Sequence, residues 1–230
     1  MASRTLVVIP AYNEADTIAE VVARALTYAP VLVVNDGSRD RTGEIAAAIP
    51  GCEVIHHARN THIPGAILDG FRHALKGPYD YVVTMDAGLS HDPHLLGRLI
   101  AEPPSDLVVS YRRETPNTPW YRRLLSRTAA HLVNAAIRRP RWKLWKRGYR
   151  DVTSGYRRYS RRAMEAVLAA PMVCRSFDFH LEALAVVSYA GLTITEFPIT
   201  YVFSNSSLNL RVVRQAFTTW LRLLSGLHRS

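Results

Sequence analysis

Over the first hundred residues of this 230-residue chain, short apolar runs alternate with segments whose apolar residues recur every three or four positions. The runs Thr5-Leu6-Val7-Val8-Ile9, Val31-Leu32-Val33-Val34, Cys52-Glu53-Val54-Ile55 and Tyr81-Val82-Val83-Thr84-Met85 predict strands, and the most uniformly apolar of them have no face left for solvent. Between them, Ile18, Val21, Val22, Ala25 and Leu26, then a segment through Ile45 to Ile49, then Gly65 through Leu75, carry the spacing of helices with one apolar stripe. Strands and helices alternating at this pitch without hairpin signals predict βαβ units, an α/β fold and a mostly parallel central sheet. A helix from about His94 to Ile100 and a strand Asp106 to Ser110 continue the series.

After Ser110 the rhythm changes. Trp120 to Ile137 is expected to be a helix, Arg138 to Arg150 a basic loop, and Asp151 to Tyr156 a polar turn followed by a short helix. A more apolar helix is expected over Asp178 to Tyr189, then strands Leu192 to Glu196 and Thr200 to Phe203 separated at Pro198. The last helix, Leu210 to Leu227, places Val212, Val213, Phe217, Trp220, Leu221 and Leu224 among Arg211, Arg214 and Arg222. The expected organisation is one domain over 1–204, with 205–230 a basic amphipathic helix that docks on this domain, on a second copy or on a membrane.

Composition supports a folded domain, with 48% hydrophobic and 21% charged residues. Twenty-nine Lys and Arg against 19 Asp and Glu give +10, with most of the excess after Arg112. Trp142 and Trp145 interleaved with basic residues between Arg138 and Arg147 point to an anionic membrane surface. Nucleic acid is not expected as a partner, because no nucleic-acid motif accompanies the charge. Cys52 and Cys174 are expected to be reduced thiols. With no long apolar stretch in the sequence, the expected location is cytoplasmic, peripheral at the cytoplasmic face of a membrane.

Three acids follow three of the expected parallel strands: Glu14, Asp36 and Asp86. Parallel strands end on one side, so these acids share one edge of the sheet, where α/β proteins bind ligands. The edge suits a nucleotide, but Gly-x-Gly-x-x-Gly is absent after the first strand, which argues against a dinucleotide. Asp86-Ala87-Gly88 with His91 and Asp92 is either a turn with a helix cap or an oxygen-rich divalent-metal site.

Five ordered motifs resemble family 2 glycosyltransferases of the GT-A fold. They are Val8 to Glu14, Val33 to Ser38 with Asp40 and Thr42, Thr84 to Ala87 with His91-Asp92-Pro93, Asp151 to Arg157, and Glu196 to Ile199. The last two are similar to the dolichyl- or polyprenyl-phosphate mannosyltransferase branch. The resemblance implies an inverting transfer of a sugar from a GDP- or UDP-sugar to a polyprenyl phosphate, with a hydroxyl acceptor or a catalytically impaired sugar-nucleotide binder as alternatives. It implies that Pro10, Tyr12 and Glu14 hold the base, that Asp36 fixes base or ribose, and that Asp86 and Ala87 face the diphosphate and a Mg²⁺ or Mn²⁺ ion, with Asp92 or His91 as further ligands. It places Gly65 among the sugar-nucleotide-binding residues, where it keeps a trace of a family Asn-x-Gly-Lys-Gly pattern whose Lys is Ile63 here. Gly88 stands where the family's second Asp of Asp-x-Asp is usual, and Ser90 where Gln is common.

Mechanism divides by acceptor. A lipid phosphate is already ionised and needs positioning, for which Arg112, Arg113 and Arg157 are candidates. A hydroxyl needs a base, for which Asp151, Asp178 and Glu182 are candidates.

Overall fold

The computed structural model describes residues 4–89, 94–114, 148–176 and 178–200, with single positions 128, 130, 131, 134, 135, 137 and 218. Ser90, His91, Asp92, Trp142, Trp145, Arg211 and Arg214 therefore lie outside the described residues. Of the two expected long helices, positions 128, 130, 131, 134, 135, 137 and 218 are helical.

Among the described residues seven strands form one sheet: β1 Thr5–Ala11, β2 Val31–Asn35, β3 Cys52–His56, β4 Tyr81–Thr84, β5 Leu107–Glu114, β6 Arg157–Ser160 and β7 Ile194–Thr200. Their order is β3-β2-β1-β4-β6-β5-β7. Every pairing is parallel except those of β6, which runs antiparallel between β4 and β5. The helices are α1 Ile18–Leu26, α2 Thr42–Ala47, α3 His62–Lys76, α4 His94–Ile100, α5 Arg161–Ala169 and α6 Phe179–Tyr189.

Because side chains alternate across a strand, β1 feeds both faces of the sheet. Leu6 and Val8 pack with Leu32, Val34 and Val82 under α3, α5 and α6. Val7 and Ile9 pack with Val31, Val33 and Val83 under α1 and α4. The central strands are buried on both sides, which is why their sequences are continuous apolar runs.

Two expectations after Ser110 are corrected. Pro198 does not divide two strands: β7 runs through it, paired among the described residues only with β5 at the sheet margin, where a missing N–H is tolerated. The segment after the polar turn begins as strand β6 before α5 starts. Its sequence Arg157-Arg158-Tyr159-Ser160 has no apolar run, yet both arginines are 0–1% exposed. All three nitrogens of the Arg157 guanidinium and both terminal nitrogens of Arg158 donate to backbone carbonyls, leaving Arg158 Nε as the one of the six without a hydrogen-bond partner among the described residues, which lets a polar sequence occupy an interior strand.

Arg158 donates from Nη1 to the carbonyls of Leu99, Ile100 and Glu102 (3.2, 2.8 and 2.7 Å) and from Nη2 to that of Pro103 (2.7 Å). These are the open carbonyls at and beyond the end of α4. Arg161 does the same for the end of α3, reaching Leu75, Gly77 and Tyr79.

Arg158→Met keeps most of the bulk and strands buried carbonyls, so urea unfolding at pH 7 is expected to show a loss of about 3 kcal/mol. Arg161→Met, at a partly exposed end, should cost only about 1 kcal/mol.

Candidate active site

The strand order reverses direction between β1 and β4, and at the C-terminal ends of β1, β2 and β4 lies a cleft of about 440 Å³. Pro10, Tyr12, Glu14, Asp36, Asp86 and Ala87 line it, so the edge inferred from three strand-end acids is a real cavity.

At one end the chain builds a rigid polar floor. Asp36 is 4% exposed, and its Oδ1 accepts from His57 Nδ1, the Thr61 N–H and Thr61 Oγ1, each at 2.7 Å. All three bonds converge on Oδ1, which leaves Oδ2 for a ligand. The other His57 nitrogen lies 3.0 Å from Asp69 Oδ2 but out of hydrogen-bond alignment, so the ring sits between two carboxylates. Gly65 does not line the cleft; it packs against Thr61, and a side chain there would overlap Thr61 Oγ1. Its part is to let Thr61 reach Asp36.

The loop after β1 is tied to the loop after β2. Asn13, at φ 56°, donates its N–H to Ser38 Oγ and accepts from the Arg39 N–H. The Glu14 N–H donates to Thr42 Oγ1, and Thr17 Oγ1 donates to the Glu14 carboxylate. Tyr12, 42% exposed, stands at the lip.

At the other end, Asp86 is exposed to the cleft and faces a wall from Gly155, Ser176 and His180. The six residues proposed for acceptor or base roles, Arg112, Arg113, Arg157, Asp151, Asp178 and Glu182, do not line the cleft. Arg157 is fully buried; it donates from Nε to the Ser154 carbonyl (2.8 Å), from Nη1 to that of His180 (2.6 Å) and from Nη2 to that of Val152 (2.8 Å). Through these bonds it positions the wall of the cleft. Arg112 is paired with Asp151, Nε to Oδ2 at 2.6 Å and Nη2 to Oδ1 at 3.1 Å. Burial pushes the Asp151 carboxyl up, but the Arg112 guanidinium and the Thr153 hydrogen bonds outweigh it and hold it down at about 2. A carboxylate so stabilised is a poor proton acceptor. Glu182 is 0% exposed and accepts from the N–H groups of Val173 and Cys174, fixing the loop before α6. Asp178 similarly accepts from the N–H groups of Arg175 and Ser176, which brings Ser176 to the cleft.

Among the described residues no three His, Cys, Asp or Glu side chains converge on a metal position. Asp86 still fits Mg²⁺ or Mn²⁺ in the common arrangement of one carboxylate with phosphate oxygens and water. No described atom lies within 4 Å of where a side chain on Gly88 would begin, so the missing second acid has no substitute at its own position.

The model of the family described as "Glycosyl transferase family 2" matches residues 6–168, most of the chain. The chain belongs to glycosyl transferase family 2. A polyprenol monophosphomannose synthase of Mycolicibacterium smegmatis is 34% identical over 212 residues, covering 86% of this chain and 77% of that protein. An undecaprenyl-phosphate mannosyltransferase of Micrococcus luteus is 34% identical over 211 residues, covering 86% and 84%. Glucosyl-3-phosphoglycerate synthase of Mycobacterium tuberculosis, solved with Mn²⁺, UDP-glucose and phosphoglyceric acid, superposes with a TM-score of 0.70 over 97% of this chain and 80% of that one, at 21% identity. The chain is thus a glycosyltransferase with the expected GT-A fold.

Sequence reasoning missed Thr61, His57 and His180. His57 stands in no motif and Thr61 only at the variable position of the Asn-x-Gly-Lys-Gly trace, and His180 is brought in from an apolar helix more than ninety positions after Asp86. Only the two-residue spacing from Asp178, already a candidate, hinted at His180.

A carboxyl lowered by folding stabilises the protein above its unfolded value of 3.8 and loses that contribution as pH falls toward its folded value. Asp151→Asn should therefore cost about 2 kcal/mol at pH 7, with the deficit shrinking as pH falls from about 4 to 2, measured by denaturant unfolding across pH.

Proposed function

We propose that this glycosyltransferase moves a sugar, with inversion, from a nucleoside-diphosphate sugar to a polyprenyl phosphate. The observation that carries the reading is the two-ended cleft, with a braced carboxylate, Asp36, at one end and an exposed one, Asp86, at the other. The names of the two mannosyl-transferring relatives, which match over most of their length, support the acceptor.

Asp36 Oδ2 accepts from the base or ribose, Tyr12 covers the base, and Pro10 and Glu14 close that end. Asp86 would hold a Mg²⁺ or Mn²⁺ ion, which when bound would supply positive charge for the diphosphate leaving group. The acceptor phosphate oxygen attacks the anomeric carbon from the face opposite the diphosphate. The new C–O bond forms as the bond to the β-phosphate oxygen breaks, and the electron pair leaves with the diphosphate. A phosphate monoester is largely ionised at neutral pH, so no proton must be removed from it. The burial of Asp151 and Glu182 away from the cleft supports this acceptor over a hydroxyl, because the residues suited to act as its base are structural.

The test is transfer of labelled sugar from GDP-mannose, then from a UDP-sugar panel, into an undecaprenyl phosphate fraction. Labelled lipid is expected; label found only on water-soluble hydroxyl acceptors overturns the reading. Asp36→Ala should raise KM for the donor by roughly tenfold or more with little change in kcat, whereas Asp86→Asn should lower kcat by about a hundredfold.

We also propose peripheral membrane association. No helix among the described residues is long and apolar enough to cross a membrane, and the basic, Trp-bearing stretch after Arg138 suits an anionic surface. The full chain should float with vesicles containing anionic lipid at low salt and be released at about 0.5 M salt; absence from the vesicle fraction in both overturns the proposal.

A further inference from the structure

The metal end of the cleft has one acid where its family has a pair, and the wall opposite that acid carries an imidazole. Three separate segments meet there. Thr84 Oγ1 donates to the Gly155 carbonyl at 2.6 Å, holding the turn before β6 against the end of β4, from which Asp86 follows. A side-chain carbon on Gly155 would stand 3.1 Å from Asp86 Oδ1 and 3.0 Å from His180 Nε2. One small volume above the bare Gly155 Cα is thus bordered by a carboxylate oxygen and an imidazole nitrogen from different elements.

The imidazole is well placed to be a fixed donor. His180 is 3% exposed, yet it lines the cleft. Its backbone carbonyl is gripped by Arg157, and its ring packs edge-on to Phe179 at 5.6 Å between centroids. It lies in the first turn of α6, whose residues 179 to 187 are all buried, so the ring has little freedom to leave.

We propose that His180 Nε2 is the second protein ligand of the divalent ion held by Asp86, in place of a second carboxylate. The proposal rests on the reading that the donor diphosphate occupies this end of the cleft. One carboxylate and one neutral imidazole leave a divalent ion with a net charge of +1, where two carboxylates would cancel it. The ion therefore attracts the diphosphate more strongly. An imidazole ligand also favours Mn²⁺ and later first-row ions over Mg²⁺ more than an all-oxygen site does.

The experiment is pulsed electron paramagnetic resonance of Mn²⁺ bound to the full chain with UDP or GDP present. The expected result is a coupling to a directly coordinated nitrogen that changes isotope when the protein, and not the nucleotide, is labelled with ¹⁵N. The coupling should vanish in His180→Gln and persist in His91→Gln, with Mn²⁺ affinity falling roughly tenfold or more in the first. Gly155→Ala, which places a methyl group between the two ligands, should also remove it while circular dichroism shows an unchanged fold. A wild-type spectrum without protein nitrogen coupling, or a coupling that survives in His180→Gln, overturns the assignment. Nitrogen coupling without transfer to polyprenyl phosphate leaves the metal site standing and removes the acceptor reading; transfer without the coupling does the reverse.

Discussion

A guanidinium group with no access to water must have its charge met inside the protein, and Arg157 meets it with three backbone carbonyls. Those carbonyls belong to the turn before β6 and to the first turn of α6, so one side chain fastens the antiparallel strand, the turn and the helix into a single wall. The parallel half of the sheet supplies the opposite wall with Asp86 and Asp36 at its strand ends. The cleft exists because these halves are held in register, through the β4–β6 pairing and the Thr84 bond to Gly155. Arg158 and Arg161 repeat the device at the ends of α4 and α3. Part of the basic excess of this chain is therefore internal fastening, and only the remainder is available to an anionic partner.

The division of labour between the two ends of the cleft follows from this construction. The Asp36 end is preorganised by hydrogen bonds from His57 and Thr61, which suits recognition of a flat, hydrogen-bonding group. The Asp86 end is open and polar, which suits a diphosphate and an ion. An acceptor that arrives already ionised needs orientation and charge compensation more than proton transfer, and the acids of the C-terminal half are accordingly committed to holding loops.

Much of this architecture was legible in the chain. Continuous apolar runs located β1, β2, β4 and β5 because strands buried on both faces need them, β3 with its Glu53 and no fully buried residue was located by its place in the alternation, and the strand-end acids located the cleft because parallel strands share an edge. What the pattern could not show was β6, whose arginines look like surface residues until their carbonyl partners are in place. Pro198 misled for a related reason, since it forbids an interior strand but not a marginal one. At the site, Arg112, Arg157, Asp151 and Glu182 have the right chemistry for catalysis and were assigned to it. The contacts they make depend on partners distant along the chain or in a preceding loop, such as Asp151 for Arg112 and the loop N–H groups for Glu182, which no local spacing reveals.

The complete burial of α6 from Phe179 to Val187 has a dynamic corollary. A helix with no solvated face cannot rock or fray independently of the core, so it should exchange its amide protons only with global opening of the domain. The wall carrying His180 then behaves as an anvil, and any adjustment to substrates of different size must come from the opposite lip, where Tyr12 stands in solvent.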